Sequence, residues 1–249
     1  MLLEGRIALV TGAGQGNGAA IARGLAVEGA RVIVTDLNGE AAEQTARGIS
    51  QAGGEAWAYQ LNVADAEACN ALAREVEASI GQVSILVNNA GICPRNSIDS
   101  PDVRRSWEAA MTVNLDGTLN VTLAFVAALR ATKGTVINMA SIASFVSTST
   151  SISYSTSKAA VRMLTQNLAQ ELAKDGVRVN AIAPGTLNTP MTEATRSNPE
   201  RAERFLSRIP LGRFGEPEEL IGPTVFLASS MSSYVTGTTL VVDGGYLAV

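Results

Sequence analysis

Short runs of aliphatic and β-branched residues recur along the chain. They lie at 6–11 (RIALVT), 31–35 (RVIVT), 56–61, 83–88 (VSILVN), 135–139 (TVINM), 177–182 (VRVNAI) and 239–242 (TLVV). Runs this short and this apolar suit strands covered on both faces, as in a parallel sheet. Between them, 18–28, 39–52, 65–80 and 106–131 are rich in Ala, Leu, Glu and Arg and read as helices. The alternation predicts an α/β fold of βαβ units with right-handed crossovers. Within 154–174, Val161, Leu164, Leu168 and Leu172 form one helical stripe, and Gly176 follows as a stop. Pro217 stands before Glu218, Glu219 and Leu220, where a first-turn proline is tolerated. The longest irregular stretch is 184–199, studded with Gly, Pro, Asn and Thr, and the amphipathic segment 196–208 (RSNPERAERFLSR) follows it. A stretch of this kind predicts a substrate lid over about 186–210.

Composition narrows the classes. A chain of 249 residues, 46% hydrophobic and 17% charged, can fold as a single domain over 1–249 and is not disordered. Its 19 basic and 23 acidic residues leave a net charge of −4, which argues against nucleic acid as a partner. No uninterrupted apolar run reaches the roughly 18 residues of a membrane span, so no membrane partner is expected. The chain has no histidine, which excludes a Ser-His-Asp triad, a Cys-His pair and a His-based zinc site. Cys69 and Cys93 cannot make a four-cysteine site, and no metal is expected. The opening MLLEGR lacks a targeting pattern, and a cytoplasmic setting is expected.

The first strand runs into Thr11-Gly12-Ala13-Gly14-Gln15-Gly16-Asn17-Gly18. A strand-to-helix turn gathers backbone N–H groups at the positive end of a helix dipole, a site for a diphosphate. Glycines let the backbone approach the phosphates. No Gly-Lys-Ser/Thr follows, so this is not a P-loop. Asp36 ends the second strand, where a carboxylate can accept both hydroxyls of an adenosine ribose and repel a 2′-phosphate. Neither Gln15 nor Leu37 offers that phosphate a cation, so NAD is expected over NADP.

Tyr154 and Lys158 stand four apart at the start of a helical pattern, so phenol and ammonium can converge on one site. A nearby ammonium stabilises phenolate, and Tyr154 could then exchange a proton with a substrate hydroxyl.

Together, Thr11-Gly12-x-x-x-Gly16-x-Gly18, Asn88-Asn89-Ala90-Gly91, Ser141 and Tyr154-x-x-x-Lys158 resemble the NAD(P)-dependent short-chain dehydrogenases/reductases. The resemblance extends from the first strand to Val242-Asp243-Gly244-Gly245. It implies a Rossmann-type, doubly wound sheet of seven mostly parallel strands with helices on both faces. It implies that Ser141 holds the substrate oxygen, Tyr154 is the acid/base, Lys158 binds the nicotinamide ribose, and Asn114 holds a proton-relay water. Asn89, Ala90 and Gly91 would wall the dinucleotide site, and Pro184, Gly185, Leu187 and Thr189 would grip its carboxamide end. Leu37, Asn62 and Val63 would flank the adenosine. Two residues depart from the pattern. Asn17 stands where Ile or Leu is usual, and Asn62 where an Asp commonly meets the adenine amino group. The family is typically a homotetramer, built partly from helices at about 101–131 and 154–174.

The remaining features read more plainly. The stretch 147–157 (STSTSISYSTS) suits a loop and a helix start more than a pocket for a polyol. Arg95 could bind a substrate carboxylate or lie in solvent; Cys93 reads as packing. Trp107 and Met111 read as core or subunit contact, and the apolar ending Tyr246-Leu247-Ala248-Val249 as buried in a neighbouring subunit. The expected activity is NAD-dependent oxidation of a secondary alcohol, such as a polyol, sugar derivative or hydroxy acid. Its rivals are a reductase of 3-oxoacyl thioesters or other ketones, and a non-catalytic dinucleotide-binding scaffold. A methyltransferase would explain the glycine turn and Asp36, but not Tyr154 and Lys158.

Overall fold

The computed structural model describes residues 1–148 and 150–249; Ser149, within the Ser/Thr-rich stretch, lies outside the described residues. Seven strands form one sheet in the order β3-β2-β1-β4-β5-β6-β7. They are β1 (Ile7–Thr11), β2 (Arg31–Asp36), β3 (Ala56–Gln60), β4 (Ile85–Asn88), β5 (Thr135–Met139), β6 (Arg178–Pro184) and β7 (Thr239–Val242). Every pairing is parallel, so the expectation of a mostly parallel sheet becomes a fully parallel one. Leu9 of β1 sits between Ile33 of β2 and Leu86 of β4. The strand order reverses between β1 and β4, and such switch points open a crevice at the carboxyl ends of the strands.

The helices are α1 (Gly16–Val27), α2 (Gly39–Gln51), α3 (Ala66–Ser79), α4 (Val103–Ala110), α5 (Gly117–Thr132), α6 (Ile152–Leu172), α7 (Glu193–Arg196), α8 (Pro199–Leu206) and α9 (Ile221–Ala228). Successive strand side chains point to opposite faces. Ala8 and Val10 join one core with Ile21 and Leu25 of α1, Ile49 of α2 and Val225 of α9. Ile7 and Leu9 join the other with Leu72 of α3, Phe125 of α5 and Leu172 of α6. The continuous apolar strands of the sequence are thus covered on both faces.

A π-helical segment, Met111–Asp116, joins α4 to α5 in one helix spanning Val103–Thr132. This helix is long and apolar enough, by length and composition, to cross a membrane. Its Val121, Phe125 and Leu129 nevertheless pack into the core of this fold. The helix ends on Lys133, the one non-glycine residue with positive φ (47°) among the described residues. A left-handed L-residue costs about 1–2 kcal/mol. Lys133→Gly is therefore expected to raise the melting temperature by roughly 2–4 °C, net of the added freedom of the unfolded chain. Scanning calorimetry of the two chains measures it, and a lower melting temperature would contradict it.

The stretch 184–199, irregular in sequence, is partly helical: a 3₁₀ turn at Pro190–Thr192 leads into α7 and then α8. Its base is clamped where Leu187 and Gly215 pair as an isolated parallel bridge. The apolar tail is buried within this chain at Tyr246, while Ala248 and Val249 are exposed. Tyr246 is buried in its own chain, stacked on Phe205 of α8 with ring centroids 5.9 Å apart, and the Arg208 guanidinium lies 4.5 Å from its ring centre.

Candidate active site

The glycine turn is shaped by close backbone approaches. The amide of Asn89 donates to the carbonyl oxygens of Thr11 and Gly12, both at 2.9 Å. The backbone N–H groups of Asn89 and Ala90 both donate to Thr11 Oγ1 at 3.0 Å. The loop after β4 is thereby latched to the loop after β1. Gly18 cannot carry a side chain here, because a Cβ would come within 2.3 Å of the Gly12 carbonyl oxygen. α1 begins directly on this turn, and Gln15 provides no side-chain cap. By contrast, Asn38, Asp65 and Ser151 cap α2, α3 and α6. The first-turn N–H groups of α1 are left to an outside acceptor, which suits a diphosphate.

A cavity of about 440 Å³ runs along the carboxyl ends of the strands. At one end are Asp36, Leu37, Asn62 and Val63; at the other are Ser141, Tyr154, Lys158 and Pro184. Gly12, Gln15, Gly16 and Asn17 of the glycine turn also line it, as do Asn89, Ala90 and Gly91 after β4 and Gly185, Leu187 and Thr189 after β6. Two of the residues expected to be catalytic or cofactor-binding do not line it: Gly18 is buried at the start of α1, and Asn114 is fully buried; Arg95, read as a possible carboxylate binder, is not among the lining residues either. Asn62 Oδ1 accepts from the Ala64 N–H at 3.1 Å and keeps a second lone pair. Eight lining residues were not expected at the site from the sequence: Leu61, Ile92, Val113, Met139, Ala140, Pro190, Met191 and Thr192. The first three are ordinary apolar residues beside named ones, and only the fold turns them inward.

Asn114 belongs to the π-helical segment. Its Oδ1 accepts from the Ile92 N–H at 2.8 Å, and its Nδ2 donates to the Ile92 carbonyl and to Ser157 Oγ, each at 2.9 Å. The side chain thus fixes the Ile92 loop against α6. A Cβ on Gly91 would stand 3.2 Å from Asn114 Oδ1 and 3.3 Å from Lys158 Nζ, so the three meet at one corner.

Ser151 Oγ accepts from the Tyr154 N–H at 3.2 Å, so the cap of α6 sets where the tyrosine enters the helix. The Ser/Thr-rich stretch therefore includes a helix start, as read. Lys158 Nζ donates to the Met139 carbonyl at 2.7 Å. Ser144 Oγ donates to the Lys158 carbonyl at 2.8 Å and accepts from the Ser141 N–H at 3.3 Å, tying the Ser141 loop to the same helix. Burial pushes the Tyr154 phenol up to about 12; the neighbouring Cys93 adds to this, and the Ser141 hydroxyl and the Arg95 charge oppose it. Burial also pulls the Lys158 ammonium down to about 8. In the protein alone, burial sets the direction for Tyr154, and the groups that oppose it are Ser141 and Arg95; the pull toward phenolate expected from the Tyr-x-x-x-Lys spacing is not among them, and the Lys158 ammonium is bonded instead to the Met139 carbonyl.

A doubly wound sheet with an uncapped glycine turn at its switch point defines a dinucleotide-binding protein, and a half-buried tyrosine with a buried lysine beside a serine gives it a proton-transfer centre. The comparisons agree. Residues 12–247 match the family described as enoyl-(acyl carrier protein) reductase. The chain is 43% identical over 248 residues to a galactitol 2-dehydrogenase (L-tagatose-forming) of Cereibacter sphaeroides, covering 98% of this chain and 96% of that one. It is 40% identical over 247 residues to a 3-oxoacyl-(acyl-carrier-protein) reductase of Thermotoga maritima, covering 98% and 99%. A gluconate 5-dehydrogenase from Burkholderia cenocepacia J2315, solved with NADP and tartrate, superposes with a TM-score of 0.94 at 40% identity, covering 99% and 97%. The chain belongs to the short-chain dehydrogenase/reductase family and is an oxidoreductase acting on CH–OH groups or the matching carbonyls.

Proposed function

We propose that the protein is an NAD-dependent dehydrogenase of a secondary alcohol borne by a polyol, sugar derivative or hydroxy acid. The observation that carries this is the single cavity with Asp36 at one end and Ser141, Tyr154 and Lys158 at the other. The uncapped N–H groups of α1 and the glycines that leave room above them fit the diphosphate of a dinucleotide, and Asp36 fits a ribose without a 2′-phosphate. When bound, the nicotinamide supplies the hydride acceptor. Ser141 donates its hydroxyl proton toward the substrate oxygen and fixes it before Tyr154. Tyr154 accepts the proton of the substrate hydroxyl, or returns it in the reductive direction. Lys158 holds positive charge beside the phenol and presents N–H donors to a ribose. Asn114 keeps the Ile92 loop and α6 in register around them. This proton machinery favours an enzyme over a scaffold. The whole chain forms a single domain, with about 186–210 as lid. A cytoplasmic homotetramer, carried over from the family, completes the proposal; Leu123 of α5 and Met163 of α6 are exposed apolar residues available to such contacts.

The test is nicotinamide absorbance on mixing the protein with polyols, sugar acids and hydroxy acids, with NAD⁺ and NADP⁺ in parallel. Reduction of NAD⁺ by one class is expected. Turnover only with NADPH and a 3-oxoacyl thioester would favour the reductase reading instead.

Arg95 bears on the substrate class. It has no carboxylate partner among the described residues, and its Nη2 donates to the Met191 carbonyl, beside the cavity, at 3.4 Å. An arginine at that mouth can take a carboxylate in two parallel hydrogen bonds. Arg95→Ala is expected to raise KM for an acid substrate by roughly tenfold or more, and to leave a neutral polyol nearly unaffected. Equal effects on both would remove Arg95 from substrate recognition.

A further inference from the structure

We propose that Gly14 is a positioning residue for dinucleotide choice, because it sets where Asp36 presents its carboxylate. This rests on reading Asp36 as the acceptor for the adenosine ribose. The Gly14 N–H donates to Asp36 Oδ2 at 2.9 Å, and the Asn38 N–H donates to Asp36 Oδ1 at 2.9 Å. Each carboxylate oxygen is thus held by one backbone donor, one from the glycine turn and one from the start of α2. Each keeps a free lone pair for a ribose hydroxyl. The Gly14 peptide is itself pinned on both sides. The preceding Ala13 N–H donates to the Thr35 carbonyl at 2.9 Å, and Thr45 Oγ1 of α2 donates to the Gly14 carbonyl at 3.3 Å.

Gly14 differs from Gly12 and Gly16, whose φ values are +60° and +53°. Gly14 is not in the left-handed region, so its backbone alone would accept an L-residue. What forbids a side chain is the space. A Cβ there would stand 2.7 Å from Ala41 Cβ and 2.9 Å from Asp36 Oδ2. Ala41 is fixed on α2, whereas the Asp36 carboxylate is the free end of a side chain and can swing. A methyl group at residue 14 therefore displaces the carboxylate, breaks its bond to the Gly14 N–H and vacates the place where a 2′-phosphate would otherwise meet negative charge.

The experiment is calorimetric titration of NAD⁺ and NADP⁺ into the wild type, Gly14→Ala, Asp36→Ala and the double variant. A fifth chain, Gly14→Ala with Ala41→Gly, relieves the contact with α2 and keeps the one with Asp36, so the test survives if Gly14→Ala misfolds. Losing a charge-assisted bond set predicts that Gly14→Ala weakens NAD⁺ by roughly tenfold and leaves NADP⁺ equal or tighter. Adding Gly14→Ala to Asp36→Ala should then leave the NAD⁺/NADP⁺ affinity ratio unchanged. If Asp36→Ala shifts the ratio and Gly14→Ala does not, the role of Gly14 is overturned and the ribose reading stands. A further loss in the double variant, equal for both dinucleotides, would mean general damage to the turn and also overturn it. If Asp36→Ala leaves the ratio unchanged, the ribose reading itself falls.

Discussion

Tyr154→Phe is expected to lower kcat by about 1,000-fold, the middle of the range for a positioned acid/base, while the Kd for NAD⁺ stays within about twofold. The substitution removes one oxygen and keeps the ring, so packing against α6 and the Ser141 loop is preserved. The residues proposed to hold the dinucleotide, the glycine turn, Asp36 and the 184–189 segment, do not touch the phenol oxygen in the described hydrogen bonds. The pH dependence sharpens the expectation. Burial holds the phenol up to about 12, so in the protein alone Tyr154 is protonated throughout the neutral range. Oxidation needs it deprotonated, so activity should rise with pH until the phenol, lowered by positive charge brought into the cleft, has ionised. Reduction needs the protonated form and should fall over the same interval. Single-turnover absorbance at several pH values reads both. A Phe variant within tenfold of the wild-type kcat would remove Tyr154 from the reaction.

The strands were legible because a sheet covered on both faces leaves almost no polar residue in its middle, and all seven begin and end within two residues of the apolar runs. The cleft was legible where chemistry demands a residue type. Gly18 packs on a carbonyl oxygen, Asp36 ends a strand at the crevice, and Tyr154 and Lys158 share a helix face. Several features needed the fold. The π-helical turn that swings Asn114 inward has no composition of its own, since Met111–Asp116 reads as ordinary helix. The lid segment carries loop-like residues yet forms short helices, because Thr189 and Asn198 start them and Leu187 pairs with Gly215 beneath. Tyr246 looked like a subunit contact because a tail gives no hint of the Phe205 ring waiting in its own chain. The direction of the Tyr154 shift was also out of reach. Spacing shows the ammonium, but only burial shows how much water has been lost around both groups.

Lys158→Met is expected to make the dinucleotide-free protein more stable at pH 7 by roughly 2 kcal/mol, while turnover falls by about 100-fold or more. In the unfolded chain the lysine titrates near 10.5, and in the fold burial brings it down to about 8. Below pH 8 it is charged in both states, and the fold bears the full penalty of a desolvated ammonium. At about 1.36 kcal/mol per unit this amounts to about 3 kcal/mol. Methionine keeps the length of the stem and removes the charge, at the loss of the 2.7 Å bond to the Met139 carbonyl, which returns about 1 kcal/mol. Between pH 8 and 10.5 the unfolded chain binds the proton that the native amine has released, so wild-type stability rises with pH relative to the variant. The advantage of Lys158→Met should therefore shrink steadily across that window. Urea unfolding of both chains at pH 7, 8, 9 and 10, each carrying Cys93→Ser to remove the thiol whose charge acts on Lys158, measures the difference. A variant less stable than wild type at pH 7, or a difference independent of pH, would contradict the assignment. In the proposed mechanism the ammonium is explained by what it does for the phenol one helical turn away. A charge held where water cannot relax it weakens the fold, and the same confinement strengthens its pull on a phenolate during turnover.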